Sequence, residues 1–179
     1  SCLTAWLAPI LCFTAEEAWL TRRDDEAELA EKLVDADSVH LREIPTIPAN
    51  WSNADLAAKW TQAFAVRRVI TTALEPLRQE KTIGSSLQAA PTVHLSADVA
   101  KMVEGVDFTE VAIVSGVKLE SGEGPADAVR VEDIPGVAVE PTLASGEKCQ
   151  RCWQVLEEVK GHADRICRRC DIAVSSLEA

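Results

Sequence analysis

The sequence contains no long hydrophobic run. Among its 179 residues, no uninterrupted apolar stretch reaches the roughly 18 residues that a membrane-spanning helix needs. The first residues also lack the basic start and the small-residue cleavage site of a secretory signal peptide. These absences argue against a membrane or secreted protein. They predict a cytoplasmic protein whose cysteines stay reduced.

Familiar catalytic motifs are missing as well. No Ser-His-Asp grouping, HExxH motif or glycine-rich phosphate loop is present in the sequence. The three histidines, His40, His94 and His162, are far apart in the chain. We therefore expect them to be surface or packing residues, and we predict no catalytic residue in this chain.

An overall excess of positive charge is also lacking. The formal net charge is −11, whereas a general nucleic-acid binder needs clustered lysine and arginine. Basic side chains nevertheless outnumber acidic ones in two segments, residues 59–81 and 148–179. An anionic partner is expected to contact these two segments and to avoid the rest of the chain.

The hydrophobic content of 47% and the charged content of 26% are those of a globular chain. The chain does not begin with Met, and its first residues already read as helical, which predicts a fragment of a longer protein. Thr14 and Glu17 have capping-box spacing, so a helix is predicted to begin at Ala15. The acidic stretch 22–37 is predicted to form a helical or loop surface, and IPTIPANW an extended linker.

A long helix is predicted from the capping pattern of Ser52 and Asp55 to about residue 82. Pro76 is expected to kink or split this helix, and Gly84 to provide a left-handed stop. Apolar residues recur along the helix at spacings of three, four and seven. They are Leu56, Trp60, Ala63, Ile70, Leu74 and Leu77.

Basic residues accompany this apolar stripe. Arg67 lies on the stripe itself, so it is predicted to form an ion pair with Glu16 or Glu17, because an unpaired buried charge is costly. Contact with a phosphate group is the alternative for Arg67. Phosphate contact is the favoured interpretation for Arg68, Arg78 and Lys81.

Beyond residue 88 the pattern changes to short β-rich runs separated by glycine and proline. The runs PTVHLS, TEVAIVSGVKL, AVRVEDI and GVAVEPTL are predicted strands, with a short helix at residues 97–103. Together they predict a small α+β subdomain.

Four cysteines follow in the arrangement CxxC, fourteen residues, CxxC. This spacing favours a closed site of four thiolates for one structural zinc ion, formed by Cys149, Cys152, Cys167 and Cys170. Two disulfides, another metal or a redox role are the alternatives. Catalytic zinc is disfavoured because four thiolates leave no open coordination position.

Cationic and aromatic side chains surround these cysteines. Lys148, Arg151, Arg168 and Arg169 can offset the negative charge of four thiolates around a divalent cation. Trp153 is expected to pack in the small core of this module. A surface on which a nucleic-acid base stacks beside Arg151 is the alternative.

Three sequence stretches together resemble the C-terminal region of the bacterial-type isoleucyl-tRNA synthetases. They are LAPILCFTAEEAW, VRRVITTALEPLRQEKTIGSSLQA, and the pair CQRCW and CRRC. The first stretch resembles any class I synthetase for an aliphatic amino acid. The segment KTIGSSLQA, together with the terminal cysteines, narrows the resemblance to the isoleucine enzymes. The resemblance covers nearly the whole chain. With the patterns above it implies a multidomain α+β protein: a helical-bundle anticodon-binding domain at 1–88, the small α+β subdomain at 89–145, and a four-cysteine zinc finger at 146–179.

The resemblance implies that the parent enzyme attaches isoleucine to its tRNA, using ATP and magnesium bound in a part that this chain lacks. The chain alone, without catalytic and editing domains, is expected to be inactive. Its implied partners are the anticodon stem-loop of isoleucine tRNA and the remainder of the synthetase. The predicted tRNA-binding residues are Arg67, Arg68, Arg78, Lys81, Arg151, Trp153, Arg168 and Arg169.

Two alternative functions are compatible with the same residues. A glycosylase-type finger or a zinc ribbon uses similar CxxC pairs with arginine to hold DNA. A structural zinc module would instead attach the C-terminal residues to a neighbouring domain without contacting RNA.

Overall fold

The chain divides into two compact units, Ser1–Asn53 and Ala54–Ala179. The computed structural model describes residues 2–25 and 38–176, so the acidic stretch predicted to form a helical or loop surface lies largely outside the described residues. The described residues form six α-helices and two small β-sheets. The protein is therefore a mixed α and β structure, and the predicted domain boundaries at residues 88 and 145 stay predictions.

The first unit is helical, with α1 at Cys2–Leu7, α2 at Cys12–Asp25 and two 3-10 turns at Val39–Leu41 and Ala49–Trp51. The predicted capping box is wrong, because the N–H of Ala15 donates to the carbonyl of Leu11 at 2.8 Å and Thr14 lies inside α2. The carboxylate of Glu16 instead accepts hydrogen bonds from Ser38 Oγ and the Val39 N–H, both at 2.9 Å.

A small apolar cluster holds this unit together. The guanidinium of Arg42 lies 4.7 Å from the ring centroid of Trp19, a distance typical of cation–π contact. The indole N–H of Trp6 donates to the carbonyl of Pro45, which fastens the proline-containing segment. The buried members of the cluster are Ala5, Ala8, Ala15, Trp19 and Val39.

The second unit begins with the long helix α3, Ala54–Gln79. The helix continues through Pro76. Of the two predicted outcomes, the split is therefore wrong, and the kink stays a prediction. Proline removes only one helical hydrogen bond, and the neighbouring Ala73 and Leu74 are buried in the core. The apolar stripe is not buried at the start of the helix, where Leu56 is 49% exposed and Trp60 is 39% exposed.

The end of α3 differs from the prediction. The N–H of Thr82 donates to the carbonyl of Leu77 at 2.9 Å, and the N–H of Lys81 to that of Arg78 at 3.0 Å. These bonds form a Schellman ending. The left-handed residue is Lys81, with φ of 61°, and not Gly84.

A three-stranded sheet packs against α3. Its strands are β1 (Thr92–Leu95), β2 (Lys118–Ser121) and β3 (Val137–Glu140). Two short helices, α4 (Ala97–Met102) and α5 (Phe108–Ala112), lie between β1 and β2 in the chain. The strand order is β2-β1-β3, with β1 parallel to β2 and antiparallel to β3.

Two of the predicted strands need correction, and the predicted short helix at 97–103 is confirmed as α4. The first part of the run TEVAIVSGVKL, residues 109–112, lies in α5, because the Asp107 carboxylate accepts a hydrogen bond from the Thr109 N–H and caps a helix there. The last two residues of the run, Lys118 and Leu119, do begin strand β2. The run AVRVEDI contributes one isolated bridge, Val129 to Val139, and no full strand.

The main core lies between α3 and this sheet. It includes Val66, Val69, Ile70 and Leu74 of α3 and Val93 and Val139 of the strands. The Nε of Arg67 donates to the backbone carbonyl of Val111 at 2.9 Å. Arg67 thereby attaches α5 to α3, and its ion pair with Glu16 or Glu17 stays a prediction.

The four-cysteine module comes last. It contains the short hairpin β4 (Glu147–Lys148) and β5 (Val155–Leu156), a 3-10 turn at Glu157–Val159, and α6 at Arg168–Ser175. Among the helices that the structure describes, none combines the length and the apolar character needed to cross a membrane.

Candidate metal centre and nucleic-acid interface

The four predicted ligand residues meet at one point. The sulfur atoms of Cys149, Cys152, Cys167 and Cys170 all lie within 4.8 Å of one another, and those of Cys152 and Cys167 are 3.7 Å apart. A tetrahedral zinc ion with Zn–S bonds of about 2.3 Å spaces its sulfurs by about 3.8 Å. All four are free thiols, with no disulfide among them. This group can hold a metal ion.

The surroundings of Cys149 and Cys167 shift the pKa values of their thiols in opposite directions. Burial raises the pKa of the Cys149 thiol, but the N–H groups of Cys152, Cys167 and Arg151 together lower it to about 6. The Cys167 N–H lies 3.3 Å from Cys149 Sγ. Burial raises the pKa of Cys167 to about 12. A bound cation would supply the charge that Cys167 needs to ionise.

The first CxxC turn depends on Gly146, which precedes β4. Its φ is +118°, and a Cβ added there would lie 2.2 Å from the carbonyl carbon of Leu156 and 2.4 Å from the nitrogen of Glu157. Both are backbone atoms that cannot rotate away. The cysteine spacing does not reveal this residue, although a glycine three positions before Cys149 is visible in the sequence.

We expect Gly146→Ala to weaken metal binding by more than about 2 kcal/mol, because the added methyl forces β4 away from β5. Gly161→Ala is the matched control: φ there is +80°, but nothing lies within 4 Å of the added Cβ. Gly161→Ala should cost only about 1 kcal/mol, from the left-handed backbone. Competition with a chromogenic chelator measures both affinities. Equal losses would contradict this role of Gly146.

Two of the predicted arginines lie beside the sulfurs. Arg151 Nη1 is 3.8 Å from Cys170 Sγ. Hydrogen bonding to Cys152 raises the pKa of the Arg169 guanidinium, and Arg169 Nη1 also lies 3.8 Å from Glu110 Oε1. These two cations offset thiolate charge. The Arg168 side chain is exposed, and its backbone N–H donates to Glu158.

Trp153 does not pack in the core of the module, so the favoured sequence interpretation is wrong. It is 60% exposed, and the buried cluster consists of Val159 with the cysteines. A positive φ of 69° directs the chain after the CxxC turn so that the indole faces outward. Lys148 Nζ lies over this ring, 5.2 Å from its centroid, so a cation covers one face of the exposed indole.

The basic residues of α3 lie in different surroundings. Arg68 pairs with Asp133 at 2.8 Å, and Arg78 with Glu75 at 3.2 Å, both on the surface. Lys81 is exposed just beyond the helix end, and among the described residues no acidic side chain pairs with it. Arg67 is half-buried and holds a backbone carbonyl, as described above.

His94 is the one buried histidine of the described residues. Its Nε2 lies 2.6 Å from Glu140 and its Nδ1 3.6 Å from Glu120, so carboxylates of the two neighbouring strands flank the ring. His40 Nε2 contacts the carbonyl of Cys12. His162 lies within the four-cysteine module, where its Nε2 is 3.8 Å from Asp171 Oδ1.

A family model described as the anticodon-binding domain of tRNA ligase matches residues 2–94 of this chain. The match covers just over half of the chain, and the chain belongs to this family. The four-cysteine module lies beyond the matched residues.

The relatives compared below are isoleucine–tRNA ligases. The chain is 47% identical over 159 residues to the isoleucine–tRNA ligase of Agrobacterium fabrum, covering 88% of this chain and 15% of that protein. It is 44% identical over 174 residues to that of Ruegeria pomeroyi, covering 96% and 17%. The isoleucine–tRNA ligase of Brucella abortus is 43% identical over 158 residues. The resemblance inferred from the motifs is confirmed, and the chain spans about one sixth of the length of these relatives.

Proposed function

We propose that this chain is the tRNA-recognition part of an isoleucine–tRNA ligase and binds the anticodon stem-loop of isoleucine tRNA. Membership of the anticodon-binding family and the similarity to isoleucine–tRNA ligases support this proposal. ATP, magnesium and the joining of isoleucine to tRNA belong to the remainder of the parent enzyme, in the cytoplasm. The chain by itself should bind RNA and catalyse nothing.

The proposed layout is a helical anticodon-binding domain, a small α+β subdomain and a zinc finger. One structural zinc ion is the metal that best suits four cysteine sulfurs at this spacing. It would be held by Cys149, Cys152, Cys167 and Cys170, and four thiolates leave no coordination position for a substrate. The metal therefore stabilises the finger and does not take part in chemistry.

The backbone at Lys81 carries the assignment of an RNA contact. Helices that end in a Schellman motif usually have glycine at the left-handed position, because a side chain there is strained. Here the position holds an exposed lysine with φ of 61°. Strained backbone positions are enriched at functional sites, which favours a role for this exposed side chain. Neutralising a phosphate is the role that suits a lysine beside Arg78.

The finger contributes a second contact surface. Arg151 and Arg169 are engaged with cysteine sulfurs, so we assign the RNA contact mainly to Arg168 and to the exposed ring of Trp153 with Lys148. Single-stranded bases stack on aromatic side chains, while cations hold the backbone. Arg68 contributes less, because Asp133 already pairs with it.

The test is Lys81→Gly in the metal-loaded 179-residue chain. Glycine relieves the backbone strain, so thermal stability should stay equal or rise. Affinity for the isoleucine anticodon stem-loop should fall, and the slope of log affinity against log salt should decrease by about 0.7 to 0.9, the loss of one phosphate contact. Fluorescence anisotropy across a salt series measures both quantities.

Lys101→Ala is the control, since Lys101 is exposed on α4, outside the two basic segments; it should leave the salt slope unchanged. Preference for duplex DNA in competition would instead support the DNA-binding alternative. If Lys81→Gly, Arg78→Ala and Arg168→Ala combined leave RNA affinity unchanged, the finger is a structural module without RNA contact.

A further inference from the structure

Ser115 is a buried polar residue between α5 and β2. It is 7% exposed, and its hydroxyl makes two hydrogen bonds to distant parts of the chain. The hydroxyl donates to the carbonyl of Leu87 at 2.5 Å and accepts from the N–H of Val155 at 2.7 Å. One donor and one acceptor position of the hydroxyl are thereby used.

Leu87 belongs to the segment that follows the basic end of α3. The Ser85 hydroxyl and the Gln88 side chain form a capping box around the turn Ser86–Gln88. Two backbone hydrogen bonds fix the residues after Leu87: the Ser115 N–H donates to the carbonyl of Ala89, and the Ala144 N–H donates to the carbonyl of Gln88. The position of Leu87 is therefore tied to the helix end that carries Arg78 and Lys81.

Val155 belongs to the other candidate RNA surface. It lies in β5, whose register pairs Val155 with Lys148 of β4. Cys149 follows Lys148 directly, and its N–H donates to Gln154 at 2.8 Å. A bond to Val155 therefore holds the hairpin that presents the first CxxC pair and Trp153.

Apolar packing does not provide an equivalent attachment. The buried side chains of the finger, Val159 and three cysteines, form a cluster separate from the main core among the described residues. A second link, Arg169 to Glu110 at 3.8 Å, lies on the surface with both side chains largely exposed. Exposed ion pairs of this kind contribute little. The Ser115 hydroxyl is the buried polar link.

We infer that Ser115 is a positioning residue that sets the zinc finger at a fixed place relative to the basic end of α3. This inference rests on the proposed RNA binding. Two contact surfaces bind one RNA more tightly when their spacing is set in advance, because the second contact then forms at a high effective concentration. Ser115 touches neither the RNA nor the metal and acts through the finger.

The test compares Ser115→Ala with Ser115→Thr, which keeps a hydroxyl, and with Ser121→Ala, which removes an exposed serine of the same unit. Ser115→Ala should retain one metal ion per chain. Its Val155 amide should exchange with solvent at least about tenfold faster, since its acceptor is gone. RNA affinity should fall by about a factor of ten. Ser115→Thr should keep the slow exchange of the Val155 amide and the RNA affinity of the unaltered chain, and Ser121→Ala should change neither quantity.

Combined variants separate positioning from general damage. If Ser115 acts through the finger, its loss should add little to Arg168→Ala, which already weakens the finger contact. It should add fully to Lys81→Gly, which affects the other surface. A purely structural defect would add equally to both variants.

The outcomes are distinguishable. Loss of metal in Ser115→Ala would overturn the inference, because the residue would then support the metal site itself. Unchanged RNA affinity together with a released Val155 amide would overturn it while leaving the proposed function intact. Absence of RNA binding in the unaltered chain would overturn the proposed function and the inference resting on it.

Discussion

Replacing Cys167 with serine is expected to abolish metal binding and to unfold residues 146–176 while the rest of the second unit stays folded. The Cys167 sulfur is buried, lies 3.7 Å from that of Cys152, and its backbone N–H contacts Cys149 Sγ. The apolar content of the finger is small, with Val159 as its one fully buried aliphatic side chain among the described residues. Metal binding contributes roughly 10 to 16 kcal/mol to folding in zinc-finger peptides.

Elemental analysis of metal per chain and amide exchange of the finger measure this effect. Cys12→Ser is the matched control, since Cys12 is an exposed free cysteine far from the sulfur cluster in sequence. The control should keep one zinc ion per chain and its protected amides. A full equivalent of zinc in Cys167→Ser would rule out a four-thiolate site.

Leu74→Ala is expected to destabilise the second unit by about 2–5 kcal/mol. Leu74 is 1% exposed within the main core, so truncation loses buried apolar surface and leaves a cavity. Leu56→Ala makes the same chemical change on the same helix, but Leu56 is 49% exposed. Its cost should stay below about 1 kcal/mol.

Equilibrium unfolding in urea, followed by circular dichroism of the zinc-loaded chain, gives both free energies of unfolding. The comparison is direct because the two leucines fall on one apolar stripe in the sequence. Equal losses would mean that the stripe is buried along its whole length in solution. A small loss for Leu74→Ala would contradict its place in the core.

The meeting of the four cysteine sulfurs could be predicted from the sequence. A CxxC turn brings two sulfurs together by local geometry, so the pairing of Cys149 with Cys152 and of Cys167 with Cys170 follows from spacing alone. The helix α3 was similarly predictable, because its hydrophobic period extends over many residues. The predicted start of α2 is wrong, because residues with capping-box spacing also occur inside helices. Here the carbonyl of Leu11 already accepts a hydrogen bond from the Ala15 N–H, so the helix begins before Thr14.

The surroundings of individual side chains were less predictable. Arg67 lies on an apolar stripe in any helical projection, but only the folded chain brings the carbonyl of Val111 to it. The first part of the predicted strand TEVAIVSGVKL is the helix α5, because Asp107 caps a helix there, and only its end lies in β2. The sequence predicts Trp153 inside the cysteine module, whereas the left-handed backbone after the CxxC turn directs the side chain to the surface.

By itself, the sequence determined the two CxxC pairs, the long basic helix and the family, because each depends on residue spacing along the chain. Only the tertiary structure decided that Lys81 occupies a left-handed position, that Arg151 and Arg169 lie beside sulfurs, and that Ser115 joins Leu87 to Val155. Ser115 is far in sequence from Val155, and such pairings depend on how the whole chain buries its apolar surface. Local patterns carry no information about that arrangement.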